Sequence, residues 1–188
     1  MSLTIPAIFE LFGTLGARMY GSEPVSQLDH ALQCAELAES AGAGPELVTA
    51  CLLHDIGHML AVRNRQDHPI ASAAHEPGID DIHQFMAIPF LRHLFPEAVI
   101  EPIRLHVDAK RYLCRAESPY WDGLTSASKH SLQLQGGIYS EADAETFIRQ
   151  PQAYEAVLLR RWDDQAKIAG KVIPDLEHFR AALVSSAN

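Results

Sequence analysis

The sequence predicts an all-α protein, and three observations support this prediction. Apolar residues recur at three- and four-residue spacing along most of the chain, as Ile5, Ile8, Phe9 and Phe12 illustrate. Helix start and stop signals separate these apolar stretches. No stretch alternates between apolar and polar residues over the length of a strand. We therefore expect about eight helices in one domain that spans residues 1–188.

The predicted helices follow one another along the chain with short connections. The first covers residues 5–19, and the second begins at the capping-box pair Ser26 and Asp29 and ends at the Gly42-Ala43-Gly44 stop. The third begins at Pro45 and ends before Asn64, and a polar loop follows at 64–80. The remaining predicted helices cover 81–94, 97–114, 124–134, 141–149 and 151–169, and a terminal helix starts at Pro174-Asp175.

Composition and charge limit the classes of function. The 47% hydrophobic and 21% charged residues are typical of a globular protein. The net charge of −9 argues against nucleic-acid binding, which requires a basic surface, but it permits a small anionic substrate in a local basic pocket. The chain begins without a basic n-region and has no apolar run of about 20 residues, so we expect neither a signal peptide nor a membrane segment. Three scattered cysteines fit reduced thiols and a cytoplasmic protein.

The third predicted helix carries the polar sequence HDIGH, residues 54–58, within an apolar stretch. Burying an imidazole or a carboxylate without a partner costs several kcal/mol, so these groups satisfy one another or surround a cation. Neighbouring side chains on a helix point about 100° apart, so His54 and Asp55 can address two ions, or the carboxylate can bridge them. His58 lies one turn beyond His54 on the same face. A hydrogen-bonded Asp–His pair in the core is the alternative without a metal.

The order His30, His54-Asp55, Asp163 resembles the HD-domain superfamily, whose fold is a helical bundle. The resemblance implies that these residues bind divalent metal; most members of the superfamily are phosphohydrolases that use metal-activated water. His83 in DDIHQFMAIPFL and His106 in IRLHVDAKRYL add two candidate ligands between the pair and the final Asp. Six ligands suffice for two metal ions, and imidazole with carboxylate suits iron better than magnesium.

The six-ligand order is similar to the mixed-valent di-iron oxygenases of the HD superfamily, the group of myo-inositol oxygenase. Within that group the chain resembles the dioxygenases that cleave the C–P bond of 2-amino-1-hydroxyethylphosphonate, from YGSEPVSQLDHALQ to RRWDDQAK. The resemblance implies an Fe(II)/Fe(III) pair, O₂ as co-substrate, and release of phosphate with glycine or its N-methylated analogue. A metal-dependent phosphohydrolase acting on a nucleotide or another phosphate ester, and a non-catalytic HD-type module, are the alternatives.

The resemblance also implies how the ligands divide between the two irons. The expected ligands of one iron are His30, His54, Asp55 and Asp163, and those of the other are Asp55, His83 and His106. Asp163 is preferred to Asp164 because Lys167 follows it by four residues, as in the D-x-x-x-K pattern of the wider family. His83 is preferred to His75 because it opens a predicted helix.

Basic residues beside the expected ligands predict an anion site. Lys110 lies one turn beyond His106, and Arg160 precedes Asp163 by three residues, so each shares a helix face with a ligand. A lysine and an arginine placed in this way would hold a phosphonate, the arginine as a bidentate fork. The alternative is that both are surface charges that pair with nearby acids.

The segment YGSEPVSQLDH, which precedes and includes the first ligand, contains glycine and proline and is expected to be a loop that can move over a site. The resemblance implies that Tyr20 caps a metal and gates the site, and that Glu23 binds the nitrogen of the substrate. It also implies that Ser128 contacts the substrate. His58, which lies beside His54, is expected to contact the substrate as well.

Overall fold

The computed structural model describes residues 3–67 and 82–188, and it confirms the all-α prediction. No described segment forms a strand beyond one isolated bridge between Met19 and Ser26. The helices are α1 (Ile5–Leu15), α2 (Gln27–Ser40), α3 (Pro45–Leu53), α4 (Ile56–Asp67), α5 (His83–Met86), α6 (Ile88–Leu91), α7 (Glu97–Ala116), α8 (Tyr120–Gly123), α9 (Ser126–Leu134), α10 (Glu141–Ile148), α11 (Ala153–Gln165) and α12 (Arg180–Ser185). The excess over the expected number has three sources: the predicted third helix divides into α3 and α4, the predicted helix 81–94 divides into α5 and α6, and α8 was not predicted.

The HDIGH segment differs most from its prediction as part of one continuous helix. The structure ends α3 at Leu53 and begins α4 at Ile56, so His54 and Asp55 occupy the turn between two helices. Apolar periodicity could not reveal this break, because the residues on both sides of it remain buried. The break places His54 and Asp55 between two helices, where the backbone can change direction.

Several other boundaries also differ from the prediction; α1, for example, ends at Leu15 rather than at residue 19. Helix α4 continues through Asn64, so residues 64–67 are helical, and the rest of the predicted polar loop lies outside the described residues. Helix α11 ends at Gln165, because the backbone groups that follow it form hydrogen bonds with side chains of α2 instead. His30 Nδ1 donates to Ala166 O at 2.8 Å, and Gln33 pairs with the backbone of Ile168. The terminal helix begins only at Arg180, since turns occupy residues 176–179.

Helix α7 is the central element of the bundle and packs against α3, α5, α10 and α11. The larger apolar core joins α1, α2, α3, α4 and α7. A smaller core lies between α7, α10 and α11 around Leu105, Leu113 and Phe147. None of the helices within the described residues is both long enough and apolar enough to cross a membrane. This packing directs α2, α7, α11 and the α3–α4 turn toward one common interior region.

Gly57 lets helix α4 approach the backbone of α5 very closely. A Cβ atom at this position would lie 2.1 Å from the carbonyl oxygen of His83. Nothing in the sequence pattern marked this glycine, because the contact joins segments that are distant along the chain. The close approach fixes the position of His83, an expected metal ligand, relative to the HDIGH turn.

Replacing Gly57 with alanine is expected to lower the free energy of unfolding by about 1–3 kcal/mol, because the added methyl group forces the two backbones apart. Urea unfolding of the metal-free protein measures this change. Gly13→Ala is the matched control, since a Cβ there meets nothing within 4 Å. That helical substitution is expected to stabilise the protein by about 0.5–1 kcal/mol. Two variants of equal stability would contradict the role of Gly57.

Candidate metal centre and anion pocket

Nearly every residue predicted for the site lines one cavity of about 400 Å³, which we call the cavity. Its lining includes Tyr20, Glu23, Asp55, His58, His83, His106, Lys110, Ser128, Arg160 and Asp163. The two exceptions, His30 and His54, are buried directly behind Asp55. The structure therefore brings together residues from α2, the α3–α4 turn, α4, α5, α7, α9 and α11.

The first cluster consists of His30, His54, Asp163 and the Oδ2 atom of Asp55. The Nε2 atoms of His30 and His54 lie 3.2 Å apart. Asp55 Oδ2 is 3.6 Å from His30 Nε2 and 3.3 Å from His54 Nε2. Asp163 Oδ1 completes the group at 3.4 Å from His30 Nε2. These donor atoms surround a common point, as the ligands of one ion do.

The second cluster uses the other oxygen of the same carboxylate. Asp55 Oδ1 lies 3.2 Å from His83 Nε2 and 3.6 Å from His106 Nε2, and these two nitrogens are 3.1 Å apart. His58 Nε2 is 3.9 Å from Asp55 Oδ1, and the His58 ring stacks on His83 with centroids 4.1 Å apart. His58 can therefore surround an ion together with Asp55 and His83, as well as face the cavity.

The orientation of the imidazoles fits metal binding. Three of them donate through Nδ1 to a backbone carbonyl, which leaves a lone pair on Nε2 in the neutral ring. These pairs are His30 with Ala166 at 2.8 Å, His54 with Cys51 at 2.8 Å, and His106 with Ile103 at 2.7 Å. In the first cluster, the Nε2 lone pairs of two neutral rings would face each other at 3.2 Å. A cation between them removes this repulsion.

The buried carboxylates also fit a bound cation. Asp55 Oδ2 and Asp163 Oδ1 have no hydrogen-bond donor among the described residues, although both side chains are almost fully buried. Asp163 Oδ2 has the guanidinium Nη1 of Arg160 at 2.6 Å as its ion-pair partner. A buried carboxylate oxygen without a donor is costly, and a metal ion supplies the missing partner.

Opposing charges shift the pKa values of the first cluster. Burial alone would raise the pKa of Asp55, but His54, His30 and His83 hold it well below its usual value. Burial alone would also lower the pKa of the two imidazoles behind it, yet the nearby carboxylates of Asp163 and Asp55 raise the pKa of His30 to about 9. The pKa of His54 rises to about 9 for similar reasons. By contrast, burial and His83 lower the pKa of His106.

The sequence leaves open whether Asp163 or Asp164, and whether His83 or His75, is a ligand. Asp163 lies in the first cluster, whereas the carboxylate of Asp164 accepts hydrogen bonds from Tyr120 and Arg160. Position 75 lies outside the described residues, while His83 lies in the second cluster.

One wall of the cavity carries Lys110, Arg160 and Lys167, and we call it the basic wall. Lys110 and Arg160 are only 2% and 4% exposed, so they are not surface charges, although Arg160 does pair with the nearby acids Asp163 and Asp164. Lys110 Nζ donates to Ser131 Oγ at 2.8 Å, and burial together with Arg160 lowers the pKa of Lys110 to about 7. Lys167 Nζ donates to Ser128 Oγ at 3.2 Å. Of the lysines, arginine and serines in these contacts, Ser131 and Lys167 were not predicted to contact a substrate.

A signal for each of these two residues exists in the sequence. Ser131 follows Ser128 by one helical turn on α9, so the two share a helix face. Lys167 follows Asp163 by four residues, but α11 ends between them, and only the structure shows that its ammonium group turns back toward α9.

The segment from Tyr20 to Ser26 is a loop, as predicted, and it covers the first cluster. The ring of Tyr20 stacks on His30 with centroids 3.9 Å apart, and burial and Asp55 raise its pKa well above the usual value. Glu23 accepts a hydrogen bond of 2.7 Å from Thr125 Oγ1 and lies 3.9 Å from Lys167 Nζ. These contacts connect the loop to α9 and to the basic wall.

The helical fold and the paired imidazole–carboxylate clusters define a metal-binding protein of the HD type. The HD domain family matches residues 28–146. The chain is 43% identical over 182 residues to a hydroxymethylphosphonate dioxygenase of Gimesia maris, which covers 96% of this chain and 87% of that protein. It is 33% identical over 169 residues to the [1-hydroxy-2-(trimethylamino)ethyl]phosphonate dioxygenase (glycine-betaine-forming) of Leisingera caerulea, with 90% and 83% covered.

A protein named L432 of Acanthamoeba polyphaga mimivirus is 30% identical over 181 residues, with 96% of this chain and 80% of that protein covered. The similarities to these three relatives extend over almost the whole chain. The chain belongs to the HD-domain phosphonate dioxygenases. It is therefore an oxidoreductase that depends on a metal and O₂.

Metal affinity is expected to fall as the pH decreases below about 9, because protons compete for His30 and His54. Both pKa values are raised, so protons bind these rings more strongly than they bind an ordinary histidine and compete there with a metal ion. The apparent dissociation constant should rise about ten- to hundredfold per pH unit for one or two displaced protons. Chelator competition at several pH values measures this dependence.

The same protons stabilise the metal-free fold. This contribution is complete below the ordinary histidine pKa of about 6.5 and is lost as the pH rises through about 9. Unfolding of the chelator-treated protein should therefore require less urea at alkaline pH. A metal affinity that does not change across this range would exclude the proposed competition with protons.

Proposed function

We propose that the protein uses two iron ions, an Fe(II)/Fe(III) pair, and O₂ to cleave the C–P bond of a small 1-hydroxyphosphonate. The observation that carries this proposal is the carboxylate of Asp55, whose two oxygens each face a different imidazole cluster. A carboxylate shared in this way suits a bridging ligand between two ions. Donor sets rich in imidazole favour iron over magnesium.

The proposed ligands divide as the two clusters do. One iron would bind the first cluster, in which Asp163 supplies Oδ1 and leaves its other oxygen to Arg160. The second would bind Asp55, His83 and His106, with His58 close enough to bind the metal or the substrate. Bound iron would supply O₂ activation and the oxidation of the carbon that carries phosphorus.

The basic wall would bind and orient the phosphonate. Arg160, Lys110 and Lys167 supply N–H donors to anionic oxygens, and Ser128 adds a hydroxyl group. Because cluster residues line the same cavity, an anion held there would bring the adjacent hydroxyl-bearing carbon close to the two clusters. Tyr20 would leave the first cluster when substrate enters, and its loop would exclude water from the cavity.

The substrate class is supported by the names of two relatives, one with hydroxymethylphosphonate and one with a trimethylamino hydroxyphosphonate. The candidates for this chain are 2-amino-1-hydroxyethylphosphonate, its N-methylated analogues and hydroxymethylphosphonate. The products would be phosphate and the corresponding carboxylic acid, which is glycine for the first candidate.

Iron-loaded protein is expected to consume O₂ and release phosphate in equal amounts from at least one of these hydroxyphosphonates. An oxygen electrode and a phosphate assay measure the two quantities, and an anaerobic reaction is the control. Hydrolysis of nucleotides or other phosphate esters with Mg²⁺ or Mn²⁺, without O₂ uptake, would instead support the phosphohydrolase alternative.

Asp55→Asn is expected to reduce the iron bound at both clusters, because both lose a shared anionic ligand. His106→Ala should reduce iron at the second cluster alone and leave about one iron per chain. Elemental analysis with low-temperature EPR distinguishes the two results, since only a coupled pair gives the mixed-valent signal. His178→Ala is the control, because this exposed histidine pairs with Glu39 and neither residue lines the cavity. Equal iron loss in Asp55→Asn and His106→Ala would argue against a bridging carboxylate.

A further inference from the structure

Arg160 is held along one edge by two residues that the proposed function does not use. Its Nη2 donates to Asp164 Oδ1, and its Nε lies 3.2 Å from Asp164 Oδ2 and 3.3 Å from the hydroxyl oxygen of Tyr120. Its Nη1 lies 2.6 Å from Asp163 Oδ2 in the first cluster. One guanidinium therefore connects a candidate metal ligand with a separate Asp–Tyr pair.

The Asp–Tyr pair has fixed donor and acceptor roles. The hydroxyl group of Tyr120 donates to Asp164 Oδ2. Burial and the Asp164 carboxylate keep this hydroxyl protonated by raising the pKa of Tyr120, against the opposing effect of Arg160. Asp164 thus accepts from both neighbours, and the plane of the Arg160 guanidinium cannot rotate without breaking these hydrogen bonds.

The pair lies outside the cavity. Arg160 and Asp163 line the cavity, whereas Asp164 and Tyr120 are not among its lining residues. Adjacent side chains on a helix point about 100° apart, so the two consecutive aspartates of α11 contact different edges of the same guanidinium. A guanidinium has five N–H groups, and the contacts described leave one on each terminal nitrogen for another acceptor.

We propose that Asp164 and Tyr120 are positioning residues, which orient the Arg160 guanidinium so that it holds Asp163 and directs its remaining N–H groups to the substrate phosphonate. This inference rests on the proposed function, because it requires an anion in the cavity. Orienting the fork before the substrate arrives removes an entropic cost that a free arginine side chain would otherwise add to binding.

The test measures binding of methylphosphonate to the iron-loaded protein by anaerobic titration calorimetry. Asp164→Asn is expected to weaken binding about tenfold or more, and Tyr120→Phe about three- to tenfold, with the iron content unchanged. With a hydroxyphosphonate substrate, KM should rise more than kcat falls, since the loss is in anion binding. Tyr120→Phe keeps every charge in place, so it preserves the test if Asp164→Asn loses iron or does not fold.

A double-mutant cycle separates positioning from a general structural effect. Arg160→Lys removes the fork, so adding Asp164→Asn in that background should weaken binding no more than about twofold further. Losses that add fully in the double variant would overturn the inference.

The chain offers a matched control on the other side of α7. There, the hydroxyl of Tyr139 donates to Asp108 at 2.7 Å, and Arg111 lies beside the same carboxylate at 3.4 Å, outside the cavity. Asp108→Asn and Tyr139→Phe should leave methylphosphonate affinity unchanged. Wild-type protein that binds no phosphonate would contradict the proposed function itself. Wild-type binding with unchanged affinity in Asp164→Asn and Tyr120→Phe would overturn the positioning role alone.

Discussion

The buried carboxylate of Asp55 is the constraint on which the rest of the structure depends. It lies at the α3–α4 turn with one oxygen toward His30 and His54 and the other toward His83 and His106. Most of these imidazoles are fixed from behind by backbone carbonyls, so their Nε2 atoms point inward. Two oxygens of the buried carboxylates in this group lack a hydrogen-bond donor among the described residues, so a metal ion fits the space that α2, α5, α7 and α11 enclose.

Much of this arrangement could be predicted from local features of the sequence. Helical periodicity is local, so the all-α class and most helix positions followed from it, and the His54-Asp55 pair is a contiguous signal. The α3–α4 break and Gly57 could not be predicted, because one is hidden by continuous apolar periodicity and the other serves a contact with distant His83. The different surroundings of Asp163 and Asp164 likewise could not be predicted, because they depend on contacts with residues distant along the chain, His30 for Asp163 and Tyr120 for Asp164.

The charges of the basic wall depend on the balance between burial and the nearby carboxylates. Arg160 keeps its charge, because Asp163 and Asp164 together outweigh burial and hold its pKa well above the usual value. Lys110 lacks comparable compensation, and burial together with Arg160 lowers its pKa to about 7. An anion in the cavity would restore the balance, since a nearby negative charge favours the protonated form of lysine. The cavity without substrate is thus suited to accept negative charge.

The candidate metal centre and the basic wall are linked by one arrangement that occurs twice, a basic residue one helical turn from a candidate ligand. On α7, Lys110 lies one turn beyond His106, and on α11, Arg160 lies one turn before Asp163. Side chains one turn apart share a helix face, so an element that directs a ligand inward directs a cation into the same cavity. Because Arg160 also contacts Asp163, the proposed substrate binding and metal coordination would share one guanidinium. A small bundle could therefore place an anion beside the two proposed metal positions without an additional domain.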